Sequence, residues 1–142
     1  MKKRNNQHKK GFTLIEILVV IAIIGLLSYF LVPRLLGTQE KAKEAAVKAV
    51  MHSVQISIES YNLENSTYPV AKNITLKNLC DYYLLPAGYI GSVPQNPYTG
   101  KDYEDADTTG KITYNYDDST GVYSLIGYNR SGTKKISEIT NL

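Results

Sequence analysis

Apolar positions fall into three regimes along the chain. From Phe12 to Leu36 they are nearly continuous: no side chain between Ile17 and Val32 is charged, and the margins add only Glu16 and Arg34. As a helix rising about 1.5 Å per residue, roughly 20 to 25 such residues reach across a hydrocarbon layer of about 30 Å. Val, Ile and Leu on every side predict burial all round, in lipid or inside a bundle. From Gln39 to Tyr61 the pattern changes to three- and four-residue steps, with Val47, Val50, Val54, Ile58 and Tyr61 on one helical face. Ala42, Ala45, Ala46 and Ala49 favour helix, and Glu44 and Lys48 form an i,i+4 pair in the favourable order. One helix is therefore predicted from about Phe12 to about Leu63, ended by Asn62, Asn65, Ser66 and Pro69.

An amphipathic continuation needs a second layer over its stripe, so a small domain is expected downstream. Tyr68-Pro69 opens a loop. A short helix is predicted from about Thr75 to Leu84, capped by Thr75, with Leu76, Leu79, Cys80 and Tyr83 on one face. Pro86, Gly88, Gly91, Pro94 and Pro97 enforce irregular chain. Lys111 to Tyr116 alternates as a strand, Asp117 to Gly121 is a turn, and Val122 to Tyr128 is the hairpin partner. Lys135 to Ile139 reads as a third short strand. The fold class is α+β, a long N-terminal helix packed on a small antiparallel sheet. The chain divides into a leader at 1–11, an apolar helix at 12–36 and a globular domain at 37–142.

Charge sharpens the first regime. The first eleven residues hold five of the sixteen cations and no acid, so the remaining eleven cations face thirteen carboxylates. The rest of the chain has no overall field to draw it to nucleic acid. The short basic flank Lys2 to Lys10 should stay cytoplasmic, which puts everything after Leu36 outside. A secretory signal normally has a shorter apolar region followed by small residues, and Tyr29-Phe30-Leu31-Val32-Pro33-Arg34 lacks that pattern. The single cysteine, Cys80, rules out an intrachain disulfide. It reads as a small apolar core residue, with an interchain bridge or reactive thiol as the alternative. Twelve tyrosines against two phenylalanines and no tryptophan suit half-buried strands or surfaces that meet a partner.

Glu16 is out of place at the apolar edge, because a carboxylate inside hydrocarbon costs about 2.5 kcal/mol or more. Its natural partner is a positive charge on another chain. Cleavage between Gly11 and Phe12 would create one, an α-amine on Phe12, attracted strongly at low dielectric. Lys9-Lys10-Gly11-Phe12-Thr13-Leu14-Ile15-Glu16 followed by a long apolar run resembles the class III signal of bacterial type IV pilins and pseudopilins. The resemblance implies a prepilin peptidase that cuts after Gly11 and N-methylates Phe12, and a Glu16 that pairs with the Phe12 amine of an adjacent subunit. It also implies a homo-oligomeric helical filament, an inner-membrane assembly platform and a single-pass precursor in the cytoplasmic membrane. Gly25 and Pro33 fall where that family often carries helix-weakening residues. Gly costs about 1 kcal/mol in a helix interior and Pro removes a backbone hydrogen bond, so a kink or local melting between them is expected.

The downstream half is similar to the major pseudopilins of type II secretion and to some Gram-positive pilins. Tyr68-Pro69, Val93-Pro94-Gln95-Asn96-Pro97-Tyr98 and Val122-Tyr123-Ser124-Leu125 with a glycine-bearing loop carry this likeness. One departure stands out. Type II pseudopilins hold calcium in an Asp-rich loop after that strand, whereas Gly127 to Lys135 has three cations and no carboxylate. Asp102, Glu104, Asp105 and Asp107, or Asp117 and Asp118, could offer oxygen ligands, but solvated turn acids are the expected reading.

Nothing in the sequence suggests catalysis. His8 and His52 stand alone, Cys80 has no nearby His, and there is no phosphate-binding glycine loop or metal-spaced Cys/His cluster. No cofactor or metal is expected. The sequence thus predicts a structural subunit of a type IV pilus or type II secretion pseudopilus, not an enzyme. The alternatives are a competence pseudopilin for DNA uptake and a minor pilin with an adhesive or DNA-binding tip. Arg130, Lys134 and Lys135 beside Tyr128 would carry the DNA contact.

Overall fold

The computed structural model describes residues 11–141, apart from the side chains of 31–36. Residues 1–10 of the expected leader, with His8, lie outside the described residues. The chain separates into two compact units, Met1–Thr38 and Gln39–Leu142. Helix α1, Leu14–Asn65, contributes residues to both and agrees with the helix expected from the apolar periodicity.

In the first unit, residues 11–13 are not helical and α1 starts at Leu14. Its large apolar side chains, from Leu14 to Phe30, are exposed. Ser28 donates its hydroxyl to the Ile24 carbonyl across 2.8 Å, which satisfies it within the helix. Gly25 lies in helical backbone.

In the second unit, α1 buries Val47, Met51, Val54 and Ile58 completely, with Val50 and Tyr61 packed at the margin. Met51 was absent from the predicted stripe, although it lies four residues after Val47 and seven before Ile58. These residues meet a four-stranded antiparallel sheet of order β1-β2-β3-β4. Its strands are β1 (Ile74–Thr75), β2 (Ile112–Asp117), β3 (Val122–Tyr128) and β4 (Lys135–Thr140). In β2 and β3 every second residue is buried, so Ile112, Tyr114, Tyr116, Tyr123 and Leu125 form the inner face. The hairpin register runs from Ile112 opposite Gly127 to Asp117 opposite Val122. At its turn Gly121 N donates to the Asp117 carbonyl across 2.8 Å, and Ser119 N and Oγ donate to Asp117 Oδ1.

Two local features differ from the sequence reading. The short helix begins where expected, with Thr75 Oγ1 accepting from Asn78 N at 3.2 Å. It holds α-geometry only over α2, Leu76–Leu79, then widens into a π-turn at Cys80–Leu84. The extra residue in that turn rotates Leu84 inward, so Leu84 is fully buried and Tyr83 sits at the rim. The two-residue β1, which pairs Ile74 with Tyr114 and Thr75 with Thr113, has no counterpart in the sequence reading.

The tyrosines take a role beyond strand propensity. Tyr98 donates to Glu40 at 2.9 Å, Tyr89 to Glu64 at 2.7 Å, and both Tyr68 and Tyr123 to Glu59, at 3.0 and 2.8 Å. Three glutamates of α1 are therefore tied to the domain by phenols. Tyr83, Tyr103 and Tyr114 instead donate to the carbonyls of Val70, Gly110 and Pro69. Among the described residues no buried side-chain nitrogen or oxygen lacks a partner.

Candidate processing and assembly site

The residues singled out at the N-terminus lie together on consecutive turns. Gly11 and Phe12 are exposed and non-helical, immediately before the helix start. Thr13 stands at the cap position. Its backbone N–H donates to Glu16 Oε2 at 2.8 Å, its hydroxyl donates to the same oxygen at 2.9 Å, and Glu16 N donates to Thr13 Oγ1 at 3.3 Å. This is a reciprocal capping box, in which each residue satisfies a backbone N–H that the first turn leaves unpaired. The negative charge also lies at the positive end of the helix dipole. Thr13 is the residue that the pattern reading missed. The signal was present, since Thr13-Leu14-Ile15-Glu16 has the Thr-x-x-Glu spacing of such a box.

Glu16 is thus held within its own chain, with its carboxylate on an otherwise apolar surface. Phe12, Ile15, Val19 and Val20 line a shallow groove beside it. Such a surface offers a carboxylate acceptor next to apolar contacts, the combination that suits an amine carried on an apolar residue. Gly25 has nothing within 4 Å of the place where a Cβ would stand. Pro33 falls within the bounds of α1, but its side chain, like those of Leu31 to Leu36, lies outside the described set. Among the described residues no helix is long and apolar enough to cross a membrane. The described part of the apolar run ends at Phe30, six residues short of the expected span.

Other candidates resolve differently. Lys135 pairs with Glu138 at 2.6 Å and the Lys111 ammonium lies 4.7 Å from the centre of the Tyr128 ring, while Arg130 and Lys134 are exposed. Of the loop acids, Asp105 accepts from the Thr75 hydroxyl, and Asp107 accepts from Glu104 N and Asn96 Nδ2, each at 3.1 Å. Among the described residues no three His, Cys, Asp or Glu side chains gather in a group that could hold a metal ion. His52 is exposed, with Nδ1 3.3 Å from Gln55 Oε1. Cys80 is fully buried in the core, and burial first, then the charge of Asp81, pushes its thiol up to about 12. A thiol so placed is a packing residue and a poor nucleophile.

The Pro94-to-Pro97 segment forms a strap on α1. Tyr98 bonds Glu40, and the Lys43 ammonium donates to the Pro97 carbonyl. Asn96, fully buried, organises it by donating to the Thr109 carbonyl at 2.8 Å and accepting from Tyr98 N at 3.0 Å.

A family model described as the prokaryotic N-terminal methylation motif matches residues 6–28. The chain is 38% identical to type II secretion system core protein G of Escherichia coli (strain K12), over 70% of this chain and 73% of that protein. It is 36% identical to the protein of the same name in Vibrio cholerae, over 73% of each. It is 40% identical to the type IV wide pilus major component PilA4 of Thermus thermophilus, over 44% of this chain and 47% of that protein. No solved structure matches.

Proposed function

The chain belongs to the family of type II secretion system core protein G, and from that membership we propose how its N-terminus turns it into a structural subunit of a pseudopilus. A prepilin peptidase cuts between Gly11 and Phe12 and methylates the new amine. The apolar part of α1, continued through Leu36, anchors the precursor in the cytoplasmic membrane with the basic leader inside. Copies then associate through these helices into an extracytoplasmic filament, delivered by an inner-membrane assembly platform.

One observation carries this reading: the start of α1 is an exposed apolar surface bearing a single carboxylate, Glu16, two turns or less from the Gly11–Phe12 bond. An exposed surface of this kind is unstable in water and is covered by lipid before assembly and by other copies after it. Glu16 changes partner between these states, from the Thr13 cap of its own chain to the Phe12 amine of a neighbour. Gly25 and Pro33 supply the helix weakening that lets the segment adapt to close packing. The subunit works by burial and pairing and needs no catalytic group.

The intact mass of protein recovered from sheared surface fibres tests the reading. A mass equal to Phe12 to Leu142 plus one methyl group supports it, and an uncut chain found only in membranes removes it. Glu16→Ala should sharply reduce fibres while cleavage continues. Normal fibres from that variant would remove the pairing step.

A further inference from the structure

Outside the N-terminus, the most unusual titratable cluster is Tyr68, Glu59 and Tyr123. Two phenols converge on the two oxygens of one carboxylate, Tyr68 on Oε2 at 3.0 Å and Tyr123 on Oε1 at 2.8 Å. Their rings are in contact, with centroids 4.8 Å apart. Contact continues from Tyr123 to Tyr114 at 5.9 Å and from Tyr68 to Tyr116 at 6.4 Å. Tyr123 is fully buried, and Tyr68 is half-buried and so open to solvent on one side.

A phenol alone is hard to oxidise because its radical cation is a strong acid, and the electron leaves readily only if the proton leaves with it. That requires a base already within hydrogen-bond reach, which is the geometric condition for general-base catalysis. Tyr83, Tyr103 and Tyr114 fail this condition, since their acceptors are backbone carbonyls. Tyr82, the most exposed tyrosine of the globular unit, donates to no carboxylate among the described residues. Tyr89 and Tyr98 each have a glutamate, but only Glu59 is fixed by a second phenol while the oxidisable ring touches another tyrosine.

We infer that Tyr68, Glu59 and Tyr123 form a one-electron donor site, at which a one-electron oxidant of the peroxyl-radical class is quenched by Tyr68. The step balances. Tyr68 gives one electron to the oxidant, which becomes the corresponding peroxide anion. The Tyr68 O–H bond breaks and its proton forms an O–H bond at Glu59 Oε2. The products on the protein are a neutral phenoxyl radical and a neutral carboxylic acid. Tyr123 stays bonded to Oε1, holding the carboxyl in place, and its ring packs against that of Tyr68 and fixes the donor's position. Because Glu59 accepts one proton, the site takes one oxidising equivalent per chain. A one-electron reductant of the enediol (ascorbate) class returns the electron and is itself oxidised to its radical, and the same proton goes back from Glu59 to Tyr68. For a subunit displayed outside the cytoplasm, such a site directs oxidation to a residue from which the damage is reversible.

The test uses the full chain in detergent, with photo-oxidised ruthenium tris-bipyridine as the one-electron oxidant. Phenoxyl formation is followed by its optical band and by electron paramagnetic resonance, in light and heavy water. Glu59→Gln keeps the shape of the side chain and one of its two acceptor oxygens but removes the base. It should slow radical formation by about tenfold or more and abolish the heavy-water effect. Tyr68→Phe should remove the fast phase, while Tyr82→Phe should leave it unchanged. Near-ultraviolet circular dichroism identical to wild type confirms that the Glu59→Gln variant keeps its packing. If Glu59→Gln forms radical as fast as wild type, the inference is overturned. It is equally overturned if Glu40→Gln or Glu64→Gln slows the reaction more than Glu59→Gln does. Filament formation plays no part in the readout, so the outcome is independent of the assembly reading.

Discussion

Gly127 of β3 leaves the space that Met51 of α1 fills: a Cβ placed on Gly127 would lie 2.5 Å from Met51 Sδ and 3.3 Å from Val47 Cγ1. The helix side chains reach the sheet backbone where the strand has no side chain, and the flexible thioether fills the gap. A larger residue there must push the helix off or force Met51 from its rotamer. Gly127→Val is expected to cost about 1–3 kcal/mol, read as a lower denaturant midpoint with an unchanged slope. Met51→Ala alone should cost about 2–5 kcal/mol through its cavity, and the two changes together less than their sum.

Asn96 joins the Pro94-to-Pro97 strap to the loop that follows it through Tyr98, Asp107 and Thr109. Asn96→Ala leaves the Thr109 carbonyl and the Tyr98 N–H without their buried partners, at a cost of roughly 2–3 kcal/mol. Because these bonds lie between residues 96 and 109, hydrogen exchange should rise over residues 96–110 well before it rises in β2 and β3. Uniform loss of protection across the domain would show that Asn96 supports the core rather than the strap.

Alkaline pH should unfold the domain. Burial, aided by Asp81, holds the Cys80 thiol up at about 12 against an ordinary 9.0. Burial, then the bond to Glu40, holds Tyr98 at about 12 against 10.0. Tyr103, Tyr114 and Tyr123 are also pushed up, chiefly by burial. Each group keeps its proton in the folded chain to a higher pH than in the unfolded chain. The stabilisation is complete below the unfolded values and is lost as pH climbs from about 9 towards 12. Stability should be flat through neutrality and fall steeply above that point, in step with tyrosinate absorbance. Alkylation of Cys80 at mildly alkaline pH should be slow until denaturant is added.

What the sequence by itself determined is what short-range periodicity and local chemistry encode. The three- and four-residue spacing of Val47, Val54 and Ile58 determined the buried face of α1, and alternation from Ile112 to Tyr116 and from Val122 to Tyr128 determined the hairpin. The order Gly11, Phe12, Glu16 and a charge-free run determined the processing and assembly expectation, because each feature lies within a few residues of the next. The capping box was as local and equally legible, though Glu16 drew attention only as an inter-chain partner. The tertiary structure alone decided the pairings across long separations. Glu59 and Tyr123 are 64 residues apart, and Glu40 and Tyr98 are 58 apart. A count of tyrosines and glutamates cannot say which phenol reaches which carboxylate. Strand β1 exists because β2 supplies its ladder, and two residues have no pattern of their own. Leu84 takes the inner place expected of Tyr83 because the turn at Cys80–Leu84 is wider than α-geometry. Periodicity reports which side of an element prefers to be dry, whereas partners are chosen by chain closure, which brings distant residues within hydrogen-bond reach only once the core has formed.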